Sequence, residues 1–467
     1  MNANSAPVGF RSATQEYKNV ELPVEGNIPD WLSGSLIRNG PGLFKYGDTR
    51  VNHWFDGLAM LRRYHFASGT IKYSNRFIQS ESYATRKDGP SGQFATNNAV
   101  ADAKAWIKSL GPPEPTDNTN VHVLPVGDYY IALTETPRQL IFDPVTLETK
   151  GELRWEDDIT EHIATAHHTI DPATGEAIGF GIEFGMQSKY HVYQIVPETG
   201  HRQRIGTVPT QRPSYIHDCA VTSQYVILVE SPLVIQFLRA LLPWGEGLLD
   251  ALSYDEDADT RFLVIDRDTG ELVADPIADQ FFTLHHINAY DDNERIVIDL
   301  VAFEDAAIID SLQIPNLTDD GFDGAPTGEF RRYKLPISGD KSINWSRKFV
   351  GGLELPTVPM SVRTRPYRYA YAQATDRRNA NGIVKIDVKT GRSVEWWEPE
   401  IYIEEPRMIQ HPDGSHEDEG VVIASAVDTA NEEGLLLVFD AETLTMLAKA
   451  KVPEVPPFGF HGRFIRQ

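Results

Sequence analysis

Short runs of apolar and β-branched residues, separated by turn-forming residues, dominate the hydrophobic pattern of this chain. The runs are YYIALTE (129–135), YVILVE (225–230), RFLVID (261–266), RIVIDLVAF (295–303), VVIASAV (421–427) and LLLVFD (435–440). Val, Ile, Leu and aromatic residues in runs of this length, bounded by turn residues, favour β-strands. The pattern therefore predicts a protein built mainly from β-sheets.

A weak repeat accompanies these runs, in which one strand ends, a turn follows and the next strand begins. The six turns contain Asp143 and Thr146; Asp171, Thr174 and Gly175; Pro197, Thr199 and Gly200; Asp266, Thr269 and Gly270; Asp387, Thr390 and Gly391; and Asp440 and Thr443. An Asp side chain accepts hydrogen bonds from its own turn, and Gly tolerates a positive φ. Repeated hairpins over about 300 residues favour a β-propeller, with a large sandwich of unrelated hairpins as the alternative.

Two segments have helical character. The first, 99–110, places apolar residues at roughly helical spacing. The second, 231–252, is the most apolar stretch of the chain. Its helical stripe comprises Val234, Phe237, Leu238, Leu241 and Leu242. An Arg and a Pro interrupt the second segment, so we interpret it either as a buried cap helix or as a patch that contacts a membrane surface.

Composition narrows the functional classes. The 467 residues are 41% hydrophobic and 24% charged, which is typical of a folded globular protein. No linker-like or low-complexity tract interrupts the sequence, so we expect a single domain over 1–467. Lys and Arg number 43 and Asp and Glu number 67, giving a net charge of −24. This charge has the wrong sign for binding nucleic acid, which requires a basic surface to neutralise phosphates.

Cysteine content and the N-terminal sequence bear on the compartment. Cys219 is the single cysteine, which excludes an internal disulfide and a thiolate metal cluster. The N-terminal sequence has no apolar run typical of a signal peptide, and no stretch reaches the roughly 20 apolar residues that span a bilayer. We therefore expect a cytoplasmic protein, with peripheral membrane contact through 231–252 as a further hypothesis.

Four of the fourteen histidines adjoin β-rich stretches that are far apart in the sequence. They are His167 in TAHHTIDP, His217 in PSYIHDCAV, His285 in FFTLHHINAYDD and His461 in PPFGFHGRF. Equivalent positions on different propeller blades converge on the central axis, so these side chains could meet at one point. Imidazole suits iron, copper, nickel and zinc. The alternative is that each histidine is a separate surface or core residue, because no local H-x-x-H motif is present.

Several longer blocks occur in a recognisable order. They are SGSLIRNGPGLFKYGDTRVNHWFDGLAML, IKYSNRF, NTNVHVLPVGDYYIALTET, TAHHTIDPATGE, SYIHDCAVTSQYVILVE, LHHINAYDD, EDEGVVIASAVD and FGFHGRF. Through these blocks the chain resembles the carotenoid cleavage oxygenase family from near residue 18 to its end. The resemblance implies an all-β fold, a seven-bladed β-propeller with a helical and loop cap over one face. It would place 99–110 and 231–252 in the cap.

The resemblance also implies a non-haem Fe(II) held on the propeller axis by four histidines and no carboxylate. The matching positions are His167, His217, His285 and His461. His167 is preferred to His168 because it follows the Ala of T-A-H, and His285 is preferred to His286 because it stands three residues before Asn288. His168 and His286 are then expected to be structural.

Three glutamates match the family positions that hydrogen-bond to the iron ligands. They are Glu135 in ALTET, Glu354 in GGLELP and Glu405 in IEEPRM. The sequence LELPTVP departs from the usual E-F-P-x-I-N around Glu354, and Glu404 competes with Glu405. Such partners orient a ligating imidazole and raise its basicity.

By the same resemblance, the chain would cleave a conjugated C=C bond with O₂ to give two carbonyl products. A hydrophobic tunnel would position the substrate, and we expect Phe55 and Thr134 to line it, with core packing as the alternative. Stilbene-cleaving relatives typically carry a Lys directly before the first glutamate, where this chain has Thr134. The predicted substrate is therefore a carotenoid or apocarotenoid. Alternatives are a phenylpropanoid-cleaving oxygenase, a retinoid isomerase on the same iron site, and a silent propeller that binds a lipid or a protein.

Overall fold

Seven antiparallel sheets follow one another around a central axis and form a seven-bladed β-propeller. The computed structural model describes residues 6–89, 94–95, 115–236, 239, 247–319, 322–338 and 343–466. The predicted propeller is confirmed, and the alternative of a large sandwich is wrong. The apolar runs of the sequence form the central strands of the blades, where side chains on both faces are buried.

The blades are numbered along the chain, and their strands are given from the outer edge to the edge nearest the axis. Blade 1 contains Val20–Glu21, Thr70–Phe77, Leu58–Ala67, Gly34–Leu43 and Gly462–Arg466. Blade 2 contains Thr149–Leu153, Gln139–Phe142, Tyr129–Leu133 and His122–Val126. Blade 3 contains Arg202–Thr210, Ser188–Ile195, Ala177–Glu183 and an inner strand broken into Ile163–Ala164 and Thr169–Ile170.

The remaining blades follow the same plan. Blade 4 contains Leu272–Ala274 and Ile277–Ala278, then Thr260–Asp266, Tyr225–Glu230 and Ala220–Val221. Blade 5 contains Asn344–Arg347, Glu329–Pro336, Arg295–Phe303 and Phe282–Asp292. Blade 6 contains Ser393–Trp397, Ala380–Asp387, Tyr369–Arg377 and Leu353–Thr357. Blade 7 contains Val24–Gly26, Met446–Val452, Glu433–Asp440, Gly420–Asp428 and a broken inner strand, Ile401–Ile403 and Arg407–Gln410.

Smaller elements connect the blades. Two short hairpins pair Lys45–Tyr46 with Thr49–Arg50 and Leu233–Ile235 with Leu252–Tyr254. The described α-helices are Glu81–Ala84, Ala307–Ser311 and Ile314–Asp319. The described 3₁₀ helices are Ala6–Phe10, Trp54–Asp56, Arg86–Asp88, Leu249–Ala251 and Met360–Val362. No helix among the described residues is long and apolar enough to cross a membrane.

Both ends of the chain close the ring. The C-terminal strand Gly462–Arg466 pairs with Gly34–Leu43 in blade 1. The N-terminal strand Val24–Gly26 pairs with Met446–Val452 in blade 7. Each terminal blade therefore contains strands from opposite ends of the sequence.

Five of the six predicted turns join the third and fourth strands, counted from the axis, of five different blades. In blade 2 the Asp143 carboxylate accepts a hydrogen bond from the backbone N–H of Thr146 at 2.7 Å. Gly270 and Gly391 adopt a φ of 73° in the corresponding turns. Leu147 and Leu444 take this position where the glycine is missing, with φ of 59° and 55°. Both leucine side chains are buried, so packing offsets the unfavourable backbone conformation.

The helical prediction for 231–252 is wrong at both ends of the segment. Leu233–Ile235 and Leu252–Tyr254 pair as antiparallel strands, and Val234 also forms a bridge with Ser214. The β-branched Val234 and its neighbour Ile235 favour an extended backbone, which here finds strand partners. The middle of the segment (237–238 and 240–246) lies outside the described residues, as does the predicted helix 99–110.

Candidate metal centre

Every blade contributes one of the seven predicted histidines and glutamates to the region around the propeller axis. From blade 1 to blade 7 these residues are His461, Glu135, His167, His217, His285, Glu354 and Glu405. Six of them lie in or beside an inner strand, and Glu135 follows the second strand of blade 2. Scattered sequence positions are thus brought together because each blade presents its inner edge to the same axis.

Breaks in the inner strands aim two of these side chains. His167 lies in the gap between Ile163–Ala164 and Thr169–Ile170. Glu405 lies between Ile401–Ile403 and Arg407–Gln410, next to Pro406, which has no N–H to donate to a sheet. In a continuous strand, successive side chains point to opposite faces of the sheet. A residue in a gap between two strand segments does not have to follow this alternation.

Irregular pairing has the same effect in blades 5 and 6. The register of Phe282–Asp292 shifts on both sides of His286, next to His285. The register of Leu353–Thr357 shifts after Glu354. Bulges of this kind redirect side chains and are common near active sites. Leu355, directly after Glu354, has a φ of 48°, and its N–H donates to the Glu354 carboxylate at 2.6 Å.

The four histidines form one buried cluster. One ring nitrogen from each of His167, His217, His285 and His461 lies within 4.8 Å of the other three. The ring centroids of His167 and His217 are 4.4 Å apart, as are those of His167 and His461. Among the described residues, the buried Nε2 atoms of His167 and His285 have no hydrogen-bond partner.

Each predicted glutamate contacts a different histidine of the cluster. Nδ1 of His217 lies 2.6 Å from Oε1 of Glu135. Nδ1 of His285 lies 2.5 Å from Oε2 of Glu354. Nδ1 of His461 lies 3.0 Å from Oε1 of Glu405. A carboxylate accepts the Nδ1–H, which leaves the Nε2 lone pair of each ring free.

Burial and the neighbouring charges together set the pKa values of the cluster histidines. Burial, followed by the neighbouring imidazoles, lowers the pKa of His167 well below its usual value. Burial lowers the pKa of His461 to about 4, although Glu405 opposes this shift. For His285 burial also acts to lower the pKa, but the adjacent Glu354 carboxylate outweighs it and the pKa is raised. His167 and His461 are therefore neutral near pH 7, the form that binds metals.

The cluster fits a metal ion. Four nitrogen donors converge, two of them are buried without a partner, and three are oriented by carboxylates. An unpartnered buried nitrogen is costly unless something binds to it. An all-imidazole set suits iron, copper, nickel or zinc rather than calcium or magnesium.

Comparisons with known proteins agree with this arrangement. The family model described as retinal pigment epithelial membrane protein matches residues 10–466. The chain belongs to this family. This is the carotenoid oxygenase family that the sequence resembles, so the predicted membership is confirmed.

Relatives in the carotenoid oxygenase family match over nearly their whole length. The mitochondrial carotenoid-cleaving dioxygenase of Macaca fascicularis is 31% identical, covering 96% of this chain and 92% of the relative. The β,β-carotene 15,15′-dioxygenase of Mus musculus is 28% identical, covering 97% and 90%. A crystallised variant of the Synechocystis apocarotenoid oxygenase has the same fold, with a TM-score of 0.89 at 24% identity, covering 99% of this chain and 98% of that one.

Three residues compete in the sequence with the assigned histidines and glutamates, namely Glu404, His168 and His286, and the structure gives them other partners. Oε1 of Glu404 accepts hydrogen bonds from Arg62 at 2.8 Å and from the N–H of Gly459 at 2.6 Å, and no described histidine contacts this carboxylate. Nε2 of His168 lies 3.2 Å from the hydroxyl of Tyr193. Nδ1 of His286 lies 3.4 Å from Asp218. Thus neither Glu404 nor these two histidines joins the cluster.

A cavity with mostly apolar walls ends at the cluster. Phe55 and Thr134 both line it, together with His217, His285 and His461. The ring of Phe55 contacts other aromatic rings of the wall edge-on. These partners are Phe94, at a centroid distance of 5.3 Å, and Phe460, at 5.5 Å. Both predicted tunnel residues therefore lie at the cavity surface.

Two residues of the site were missed from the sequence. Arg38 is fully buried, and its Nη1 donates to Oε2 of Glu405 at 3.0 Å while its Nη2 donates to the Phe460 carbonyl at 2.9 Å. The hydroxyl of Tyr215 donates to Oε2 of Glu135 at 2.7 Å. The signal for Arg38 was a charged residue inside the strand-like run SLIRNGPGL, since a buried charge needs a partner. Nothing in the sequence near Tyr215 indicates its contact with Glu135.

Proposed function

We propose that this chain is a non-haem Fe(II) dioxygenase that cleaves one conjugated C=C bond of a carotenoid or apocarotenoid with O₂. The observation that carries this proposal is an apolar cavity that ends at four buried, clustered imidazoles. The names of the carotenoid-cleaving relatives support the same reaction.

The side chains of the cluster have separate tasks. His167, His217, His285 and His461 would hold the metal through nitrogen. Glu135, Glu354 and Glu405 accept the Nδ1–H of three rings and fix their orientation. Fe(II), when bound, supplies the electrons that allow O₂ to react with a singlet polyene.

The cavity walls select and position the substrate. Among the described residues that line the cavity there is no Lys or Arg, and Thr134 stands directly before Glu135. The Lys that stilbene-cleaving relatives typically carry before this glutamate to bind the substrate hydroxyl is thus replaced by Thr, and an apolar polyene has no use for a Lys. Aromatic side chains such as Phe55, Phe94 and Phe460 would hold the chain of double bonds so that one bond lies at the cluster.

The reaction balances without a general base. The C=C bond breaks, each of its two carbons gains one oxygen atom from O₂, and two carbonyl groups form. No proton enters or leaves. This is consistent with the cavity wall, where Glu135, Glu354 and Glu404 are already engaged by histidines or arginines.

The decisive experiment is a labelling assay. The protein is reconstituted with Fe(II), supplied with ¹⁸O₂ and offered β-carotene, a β-apocarotenal or resveratrol in mild detergent. Products are reduced immediately, because aldehydes exchange oxygen with water, and are analysed by mass spectrometry. We expect one ¹⁸O atom in each of two products from a polyene, and their masses identify the cleaved bond.

Other outcomes would overturn the proposal. Labelled hydroxybenzaldehydes from resveratrol alone would show a stilbene-cleaving enzyme. If a retinyl ester is supplied as a fourth substrate, its conversion to a geometrically altered retinoid without label would show an isomerase. Failure to bind Fe(II) would favour a silent binding propeller.

Membrane contact through 231–252 stays a prediction. A polyene dissolved in a bilayer would require the enzyme to dock at its surface. The ends of this segment form the hairpin Leu233–Ile235 and Leu252–Tyr254, in which Leu233 and Ile235 are buried. These two side chains are therefore not available for contact with a membrane.

A further inference from the structure

A second cavity, with polar walls, also touches the histidine cluster. His285 and His461 line both cavities, whereas Arg363, Arg407 and Asp218 line only the second. The two cavities therefore differ in chemistry. The proposed reaction uses the apolar cavity and gives no task to the arginines of the polar one.

Three guanidinium groups lie at or near this polar cavity. Arg363 and Arg407 are in its wall, and Arg463 of blade 1 is close enough to both for their charges to repel its own. Burial, followed by repulsion from Arg407, lowers the pKa of Arg363 to about 10. Burial, followed by repulsion from Arg363 and Arg407, lowers the pKa of Arg463 to about 9. The three cations thus destabilise one another in a chain whose net charge is −24.

The acidic groups of the cavity are already engaged. Glu405 accepts hydrogen bonds from His461 at 3.0 Å, Arg38 at 3.0 Å and Arg407 at 3.3 Å. Asp218 accepts from the backbone N–H of Cys219 at 2.7 Å and of His286 at 2.9 Å. Neither carboxylate lies within ion-pair distance of Arg363.

Arg363 is left without a partner in the part of the chain that the structure describes: its side chain makes no hydrogen bond and no ion pair there. A guanidinium presents five N–H donors. The side chain is half-buried in the wall of the polar cavity, where a ligand or water can accept these donors. The position is therefore suited to an acceptor from outside the chain.

The loop around Arg363 is held in place from blade 5. The Asn288 side chain donates to the carbonyls of Val362 at 2.9 Å and Arg365 at 3.1 Å, and it accepts from the N–H of Thr364 at 3.0 Å. Thr364 is buried and has a φ of 64°. A single side chain thus fixes the backbone on both sides of Arg363, as in a preorganised binding site.

We propose that the polar cavity binds a small oxyanion, a carboxylate or a phosphate, through Arg363 with Arg407 beside it. The planar fork of a guanidinium matches two oxygens of such an anion, and charge-assisted bonds of this kind are strong. The anion would also relieve the repulsion among the three arginines. This site is separate from the proposed dioxygenase reaction.

The test is calorimetric titration of the metal-free protein with sodium phosphate, sodium acetate and sodium chloride at constant ionic strength. Direct titration is needed because phosphate stabilises proteins in general by exclusion from their surface. We expect saturable binding at one site for phosphate or acetate and weaker binding of chloride. Metal-free protein keeps the result independent of the proposed oxygenase activity.

Three variants locate the site. Arg363→Gln should weaken oxyanion binding at least tenfold, and Arg363→Lys, which keeps the charge without the fork, should weaken it less. Arg365→Gln is the matched control, because Arg365 lies on the same loop but is exposed. It should change the affinity less than twofold. Circular dichroism checks that each variant is folded.

Three results would overturn the proposal. The first is the absence of saturable binding of either oxyanion to the wild type. The second is unchanged affinity in both Arg363 variants. The third is binding of chloride as tight as that of phosphate and acetate, which would show a simple charge effect rather than recognition of an oxyanion.

Discussion

At the scale of single residues, the chemistry of the centre depends on pairs of imidazole and carboxylate. His217, His285 and His461 each place Nδ1 within 3.0 Å of a glutamate oxygen. The carboxylate fixes which ring nitrogen carries the proton and increases the electron density on the other one. Among the described residues no glutamate contacts the ring of His167, which lies in the gap in the inner strand of blade 3.

Replacing one carboxylate should weaken metal binding without unfolding the protein. Glu354→Gln keeps the shape of the side chain but removes the charge that faces His285, so we expect the Fe(II) dissociation constant to rise roughly 10- to 100-fold. Anaerobic competition with a coloured chelator measures this constant. Glu398→Gln, at an exposed position on the same blade, is the control and should retain wild-type affinity. Equal affinity in both variants would contradict the role given to Glu354.

At the scale of elements, the inner strands of four of the seven blades are interrupted next to a site residue. The central strands of each blade are continuous, and all six apolar runs of the sequence lie on them. The inner strands of blades 3 and 7 are broken, and those of blades 5 and 6 carry register shifts. In these four blades the interruptions free His167, His285, Glu354 and Glu405 from the regular strand geometry.

This contrast explains what the sequence could predict. The continuous strands and the Asp-containing turns leave local patterns, so the propeller could be inferred. The other inner strands are too short for a pattern, and that of blade 5, Phe282–Asp292, is irregular beside His285. The contact of Arg38 with Glu405 joins residues 367 positions apart. Identification of the four histidines therefore depended on family resemblance. The helix predicted over 231–252 is wrong at both ends of the segment, because helical spacing cannot anticipate that Leu233–Ile235 pairs with Leu252–Tyr254.

Substitution of two glycines in equivalent turns distinguishes the cost of an unfavourable backbone conformation from the cost of overpacking between blades. Gly270 and Gly391 both have a φ of 73°. A Cβ on Gly391 would meet only open space, with the Lys348 carbonyl 4.0 Å away, whereas a Cβ on Gly270 would collide with the backbone of Ile205 in blade 3. Gly391→Ala should cost about 1 kcal/mol from the left-handed conformation. Gly270→Ala should cost roughly 2–4 kcal/mol, because overpacking is added.

Urea-induced unfolding of both variants tests this difference between turns. The wild type and Gly391→Ala provide the reference for the conformational cost alone. If both substitutions destabilise the protein equally, the close contact between the blade 4 turn and blade 3 does not contribute to stability.

At the scale of the whole molecule, the residues that close the ring of blades also help to build the metal centre. Arg38 comes from blade 1, Glu405 from blade 7 and Phe460 from the segment leading to the last strand, and the Arg38 guanidinium contacts the other two. His461 directly follows Phe460. Docking of the C-terminal strand thus also sets the position of a cluster histidine.

The stability of the whole molecule should fall in mild acid. Burial lowers the pKa of His53 from 6.5 to about 4, although a hydrogen bond to the Ile309 carbonyl opposes this. Nδ1 of this ring accepts a hydrogen bond from the N–H of Phe55 at 3.1 Å, so it cannot carry a proton without breaking that bond. Above pH 6.5 the ring is neutral in both the folded and the unfolded protein, so its titration does not change the free energy of unfolding. Between pH 6.5 and 4 only the unfolded chain takes up the proton, so we expect a loss of about 2 kcal/mol by pH 5 from this residue.

The measurement is the free energy of unfolding by urea between pH 7 and pH 5. His53→Gln should lose less stability over this range than the wild type, because an amide does not titrate. His416→Gln, at an exposed position, should follow the wild type. A pH dependence that is identical in all three proteins would contradict the assignment.

Because every blade contributes one site residue, the number of blades is constrained in evolution. In propellers whose sites use one or two blades, a blade can be duplicated or lost while the site survives. Here any change in blade number would remove a histidine or a glutamate from the axis, or displace the others around the ring. New specificities in this lineage must therefore arise in the loops and cavity walls, while the number of blades is held at seven by the site itself.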